Sequence, residues 1–448
     1  MKLLSGYTKE EKSWMMYDWA NSAHSVIVVT ILPIFFNSIA TSQGMNTWGY
    51  ATSIAMLVVA LLAPVLGAFG DFKGWRKRLF TGFMLLGVIA CAFLAVTPLL
   101  YGPEKPPAFL ESLAFAILIL YILSTIGFAG ANLYYDSFLS DVTSDERMDK
   151  VSTMGYGLGY IGGSTIPLLI FLIMNLVLGS EYLLVCMSVA FGLTAVWWLV
   201  FSFPLLKNVR QKSYVEKQPH AVRNSLGKLF TTGREIFKNK ALFVFLLSYF
   251  FYIDGVNTII HMSTSYGDTL GLGQTSMLLA LLLVQLLGLP FALLYIKLSA
   301  RFGARAMVGV GIGIYCFITI FAFFITETWH FWLLAVLVAT SQGGIQALSR
   351  SMYGKMIPDK KRSGEFFGFY DIFGKFSAIM GPALVALVSG LAADAIRAGG
   401  TSMPEELIEK AAAPWGVLSL LLIFAVACVC YFIILPRYLK KKEGGRHA

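Results

Sequence analysis

Twelve times along its 448 residues the sequence runs apolar for about 20 positions, the length at which a helix rising about 1.5 Å per residue crosses about 30 Å of hydrocarbon. The runs fall near 15–39, 49–70, 79–100, 112–136, 154–178, 182–205, 241–262, 275–298, 306–325, 331–353, 366–391 and 415–436. In lipid every backbone N–H and C=O needs an internal partner, which leaves only helices and closed barrels as spanning structures. No segment alternates polar and apolar residues as a barrel strand would. Only 13% of the residues are charged and mean hydropathy is +0.70, whereas a soluble domain carries about 25% charged residues. The expected fold is therefore an all-α integral membrane protein of twelve transmembrane helices.

Cytoplasmic loops accumulate Lys and Arg, and this sets the orientation. With the amino terminus inside, 31 of the 35 basic residues fall on the inner side, Lys105, Arg397 and Lys410 fall outside, and Lys375 lies within a span. Both termini are expected in the cytoplasm. The net charge of +10 follows from the same rule and from anionic inner-leaflet lipid, so membrane lipid is the expected partner and nucleic acid is not. Cys91, Cys186, Cys316, Cys428 and Cys430 all lie in apolar runs without Cys-x-x-Cys spacing and read as packing residues, with neither disulfide nor metal role. The first thirteen residues are polar and mixed in charge, so no removable signal peptide is expected.

Residues 207–240 form the longest inner connection and carry nine basic residues. They divide the chain into an amino-terminal six-helix half (1–206), a basic cytoplasmic linker (207–240) and a carboxyl-terminal six-helix half (241–448). Internal similarity supports that division. Asn132, Asp136 and Ser137 at the end of span 4 align with Gln346, Arg350 and Ser351 at the end of span 10 at an offset of 214, and Asp145 aligns with Asp359. Pro167 and Pro382 nearly keep that spacing. Asp18, Asn21 and Ser22 in span 1 match Asp254, Asn257 and Thr258 in span 7 at an offset of 236.

Between spans 2 and 3 stands Gly67-Ala-Phe-Gly70-Asp71-Phe-Lys-Gly74-Trp-Arg76-Lys77-Arg78, which resembles the loop signature of the major facilitator superfamily. Gly67 permits close helix approach, Gly74 a tight turn, Asp71 is suited to a helix amino terminus, and the cations are suited to lipid head groups. The loop between spans 8 and 9 keeps Gly303 with Arg301 and Arg305 but has Ala300 where an acid would stand. Tyr17-Asp18-Trp19-Ala20-Asn21-Ser22-Ala23, together with Gly343-Gly344-Ile-Gln346-Ala-Leu-Ser349-Arg350-Ser351 and Gly364-Glu365-Phe366-Phe367-Gly368, resembles the vacuole-effluxer-like branch of that superfamily. The resemblance runs from Tyr17 to Pro436. It implies a twelve-helix facilitator fold, a bacterial plasma membrane for a bacterial member, and, from fungal vacuolar relatives, export of amino acids. Membership fixes architecture far better than cargo.

An ionisable group deep in a span costs at least about 2.5–3.5 kcal/mol on insertion scales, so each one asks for a partner or a role. Asp254 lies fourteen residues beyond Lys240, about 20 Å along a helix, which places it near the bilayer midplane with Asn257 and Thr258 on the same face. These three are candidates for solute binding or proton coupling, against a structural partnership with a neighbouring span. Asp18 and Asn21 repeat the geometry in span 1, where interfacial solvation of Asp18 is the alternative. His24 and His261 are proton-shuttle candidates, against a histidine simply hydrogen-bonded within the bundle. Asn132 and Gln346 complete the candidate set. Asp136 and Arg350, at matching inner ends of spans 4 and 10, are candidates for an inner-gate ion pair, against separate partners for each. Asp371 and Lys375 are spaced to neutralise one another, and Gly155, Gly159 and Gly163 form a packing stripe in span 5.

The expected activity is secondary active transport of a small polar solute by alternating access, with amino acids as one class and proton coupling as one mode. No phosphate loop, His-Glu-x-x-His or Gly-x-Ser-x-Gly occurs, so neither ATP hydrolysis nor a membrane enzyme is expected, and no cofactor is needed. A lipid or amphiphile transporter of the same fold is the alternative. A non-transporting sensor or a channel is the alternative from another class. A monomer is expected.

Overall fold

The computed structural model describes residues 4–39, 44–102, 104–216, 221–399 and 403–444. Among these, twelve helices are long and apolar enough to cross a membrane. Spans 1 to 4 are Lys9–Ile39, Gly44–Gly70, Trp75–Leu94 and Pro107–Ser137. Span 5 runs through Met148–Leu158, a π-helical turn Gly159–Thr165 and Ile166–Leu178; span 6 is Leu183–Asn208. An amphipathic helix, Ala221–Lys238, follows in the basic connection, of which residues 217–220 lie outside the described set. Spans 7 to 10 are Lys240–Thr269, Gln274–Phe302, Ala304–Phe323 and Thr328–Met356. Span 11 is Ser363–Ala398, and span 12 continues from Glu405–Cys428 through the π-turn Val429–Ile434.

The chain divides into two compact units, Met1–Leu229 with Ile357–Phe369, and Phe230–Met356 with Tyr370–Ala448. In the first, span 4 packs on spans 2 and 3, and span 6 packs on spans 1 and 3. In the second, span 10 packs on spans 8 and 9, and span 12 on spans 7 and 9. These are the same four pairings shifted by six spans. Each unit also starts its third helix alike: Gly74 (φ 73) precedes span 3 and Gly303 (φ 84) precedes span 9. Both glycines have a positive φ that a residue with a Cβ rarely takes, Gly74 in the left-handed helical region and Gly303 with an extended ψ.

Local irregularities follow from composition. The π-turn of span 5 ends two residues before Pro167, which has no N–H to donate to a preceding carbonyl. Thr165 Oγ1 there donates to the Tyr160 carbonyl at 2.8 Å. The segment Ile357–Phe369, expected within the carboxyl-terminal half, packs in the first unit. Small residues explain this: a Cβ on Gly368 would come 2.7 Å from the Ala63 carbonyl oxygen, and one on Gly67 would run into the carbonyl of Gly364.

Candidate functional site

In the second unit, Asp254 is fully buried in span 7. Its Oδ1 accepts from the backbone N–H of Gly381 at 3.0 Å, inside span 11 and one residue before Pro382. Its Oδ2 has no hydrogen-bond partner among the described residues. Thr258, one turn along, is also buried, and its Oγ1 is equally without a partner. The absence of a side chain at Gly381 lets span 11 approach, since a Cβ there would collide with Thr258 Oγ1 and lie 3.2 Å from Asp254 Oδ1. Asn257 is half-buried, and its carbonyl lies 2.7 Å from Nδ1 of the exposed His261. Gln346 is half-buried on span 10. Nearby on that span Ser349 hydrogen-bonds the Tyr252 hydroxyl at 2.6 Å. Asp371 and Lys375 pair at 3.3 Å.

In the first unit, Asp18 is buried and its Oδ2 accepts from the Tyr135 hydroxyl at 2.6 Å. Tyr135 is itself fixed between aromatic rings, stacked on Trp14 at 4.3 Å and tilted against Tyr17 at 4.8 Å. Asn21 donates to Asn132 at 2.6 Å, so two candidates from spans 1 and 4 meet directly. His24 is buried, with Nε2 3.3 Å from Ser124 Oγ and its ring stacked on Phe128 at 4.7 Å. The glycine stripe of span 5 packs on this face of span 1. A Cβ on Gly159 would come 2.6 Å from Ser22 Oγ, and one on Gly163 2.6 Å from the Trp19 carbonyl oxygen.

The signature loop builds a third cluster, also within the first unit. Asp71 is buried; its Oδ1 accepts from the Gly364 N–H at 2.7 Å and its Oδ2 from the Glu365 N–H at 2.8 Å. A carboxylate thus caps the amino terminus of span 11, where orphan amides and the helix dipole favour negative charge. Burial pushes the Asp71 carboxyl up to about 7, against the opposing pull of Arg76 and of the Glu365 and Gly364 amides. Arg76 corrects the expectation that the loop cations meet lipid head groups. It is fully buried, donating to Asp71 Oδ1 at 2.7 Å and Asp141 Oδ2 at 2.6 Å. Its planar fork reaches two carboxylates at once. Lys77 is half-buried and donates to the Val209 carbonyl at 3.1 Å; Lys73 and Arg78 are exposed.

Asp141 was absent from the candidates because an acid just past a span reads as an ordinary loop residue. Its Oδ1 receives the N–H groups of Lys212 and Ser213 at 3.1 and 2.8 Å, partners about seventy residues away. Tyr135 was missed for a similar reason: an aromatic in an apolar run carries no signal of the carboxylate it serves. Of the gate candidates, Asp136 is half-buried in the first unit and Arg350 buried in the second, and both are engaged in interactions.

The profile of the family described as "Vacuole effluxer Atg22 like" matches residues 47–398. A Bacillus subtilis (strain 168) protein, described as the uncharacterized MFS-type transporter YxiO, is 46% identical over 400 residues, covering 87% of this chain and 90% of that one. Autophagy-related protein 22 of Cryptococcus neoformans var. neoformans serotype D (strain B-3501A) is 24% identical over 286 residues, covering 59% of this chain and 50% of that protein. The proton:xylose symporter XylE, a solved major facilitator structure, superposes with a TM-score of 0.62 at 15% identity, covering 93% and 94% of the two chains; at that identity the likeness concerns the fold alone. The chain is a multi-pass membrane transporter of the major facilitator superfamily and belongs to its vacuole effluxer Atg22-like family.

Proposed function

We propose that this facilitator moves a small polar solute, with amino acids as the first class to test, and that Asp254 recognises the solute or couples its movement to protons. One observation carries the proposal: among the described residues, a fully buried carboxylate has a single N–H donor and lies one turn from a buried hydroxyl with no partner. A buried polar group left unpaired costs on the order of 1–3 kcal/mol, and more when charged. A proton on Asp254, or an ammonium group of a solute, would offset that cost. The family's description as an effluxer supports export as the direction, and the inner-side basic residues support a plasma-membrane topology with both termini inside.

The test is a screen of purified protein in liposomes with labelled amino acids, sugars and amphiphiles, with and without a pH gradient. Saturable movement of an amino-acid class is the expected result, and movement of sugars or amphiphiles instead would replace the substrate assignment. Asp136 and Arg350 enter as functionally coupled charges. Each single reversal is expected to impair uptake and the double reversal to restore part of it; a double variant no better than the product of its singles would separate them.

A further inference from the structure

A cavity of about 370 Å³ runs within the second unit between spans 7, 11 and 12. Along span 11, Val385, Ser389, Ala393 and Arg397 line it at four-residue intervals, which extends it about 18 Å. Over that length the cavity has room for an extended alkyl chain. Ile259, Met262, Leu334, Val417 and Leu420 make the walls apolar. Thr258 lies at the deep end, beside Gly381.

The other end is charged. Asp394, Arg397 and Glu409 line it. Arg397 is already bound to Asp394 at 2.6 Å and to Glu405, and the nearby Lys410 directs its Nζ towards Gly271. Glu409 is exposed and has no ion-pair partner among the described residues. Arg397 thus takes both Asp394 and Glu405, and Glu409 borders the apolar cavity without an ion pair among the described residues. An apolar pocket with a few convergent polar groups is the usual form of a small-molecule site.

We propose that this cavity binds a single-chain amphiphile bearing an ammonium head group, its tail in the shaft and its ammonium against Glu409. The inference concerns a different ligand class, and its cavity meets the proposed solute site at Thr258. It also supplies its own probes. Gly390 and Ala386, one turn apart and both exposed, line the cavity, and a Cβ on Gly390 would meet nothing within 4 Å among the described residues, so Gly390→Phe and Ala386→Phe add bulk at its wall without a backbone clash.

The experiment measures binding of labelled octyl-, decyl- and dodecyltrimethylammonium to the full chain in phosphatidylcholine nanodiscs, with empty discs subtracted. Saturable binding, referred to the free aqueous concentration of each amphiphile, is expected to tighten about three- to fourfold per methylene. Both Phe variants should abolish it while remaining monodisperse and unfolding at or above the wild-type temperature. Glu409→Gln should weaken it about tenfold, and dodecyl sulfate at equal concentration should fail to compete. No saturable binding above empty discs, wild-type binding by both Phe variants, or equal competition by dodecyl sulfate would overturn the proposal.

Discussion

Arg76 holds two buried carboxylates, Asp71 and Asp141, on one guanidinium. Removing it leaves two desolvated acids with no cation between them, a loss of about 3–5 kcal/mol by comparison with other broken buried pairs. Arg76→Ala is therefore expected to lower the unfolding temperature of the purified protein sharply. Arg76→Lys should be intermediate, because an ammonium is a point charge and cannot bridge both acids. Equal stability of all three forms in a thermal melt would mean that the cluster contributes nothing. Asp18 and Asp254 differ at the same scale: Asp18 has the Tyr135 hydroxyl within 2.6 Å, whereas Asp254 has one backbone amide at 3.0 Å and a second oxygen with no partner among the described residues. The chemistry left open is on Asp254.

At the scale of helices, the amino terminus of span 11 is held by close approach. A Cβ on Gly364 would come 2.5 Å from the Gly67 carbonyl oxygen and 2.7 Å from Asp71 Oδ1, so Gly364→Ala is expected to lose roughly 1–3 kcal/mol and the cap with it. Gly82→Ala is the matched control: nothing lies within 4 Å, and replacing a helical glycine by alanine should be neutral or stabilise by up to about 1 kcal/mol. Thermal unfolding of the two variants separates them, and equal melting temperatures would contradict the close contact. The helices themselves were legible because hydropathy over some twenty residues is a strong local signal; the helix pairings repeat between the units, but the matched Asp18 and Asp254 meet different partners, the Tyr135 hydroxyl and the Gly381 amide. The candidate site was legible only as a set of polar residues whose partners the sequence does not name. Asp71 meets Gly364 and Glu365 across more than 290 residues, and no local pattern encodes that meeting. The stripe Gly155, Gly159 and Gly163 announced close packing, but not that the surface packed against it would be Asp18, Trp19 and Ser22. Arg76 was misread because a basic loop next to a membrane ordinarily faces head groups, whereas here two acids bury it.

For the whole molecule, the orientation is tested by cysteine labelling in a background without native cysteines. Positions in 392–414 should react with an impermeant reagent from outside and positions in 207–240 should not; labelling of the basic connection from outside would invert the topology. The central claim is that a facilitator of this family carries a polar solute through a cycle in which Asp254 takes part. Asp254→Asn keeps the size and removes the titratable charge. The direct measurement compares gradient-driven accumulation with solute exchange in liposomes containing wild type or this variant. Loss of accumulation with exchange preserved is expected if the residue carries the proton, and loss of both if it binds a cationic group on the solute. Accumulation at the wild-type rate with an unchanged pH profile would contradict the claim and leave Asp254 as a strut between spans 7 and 11.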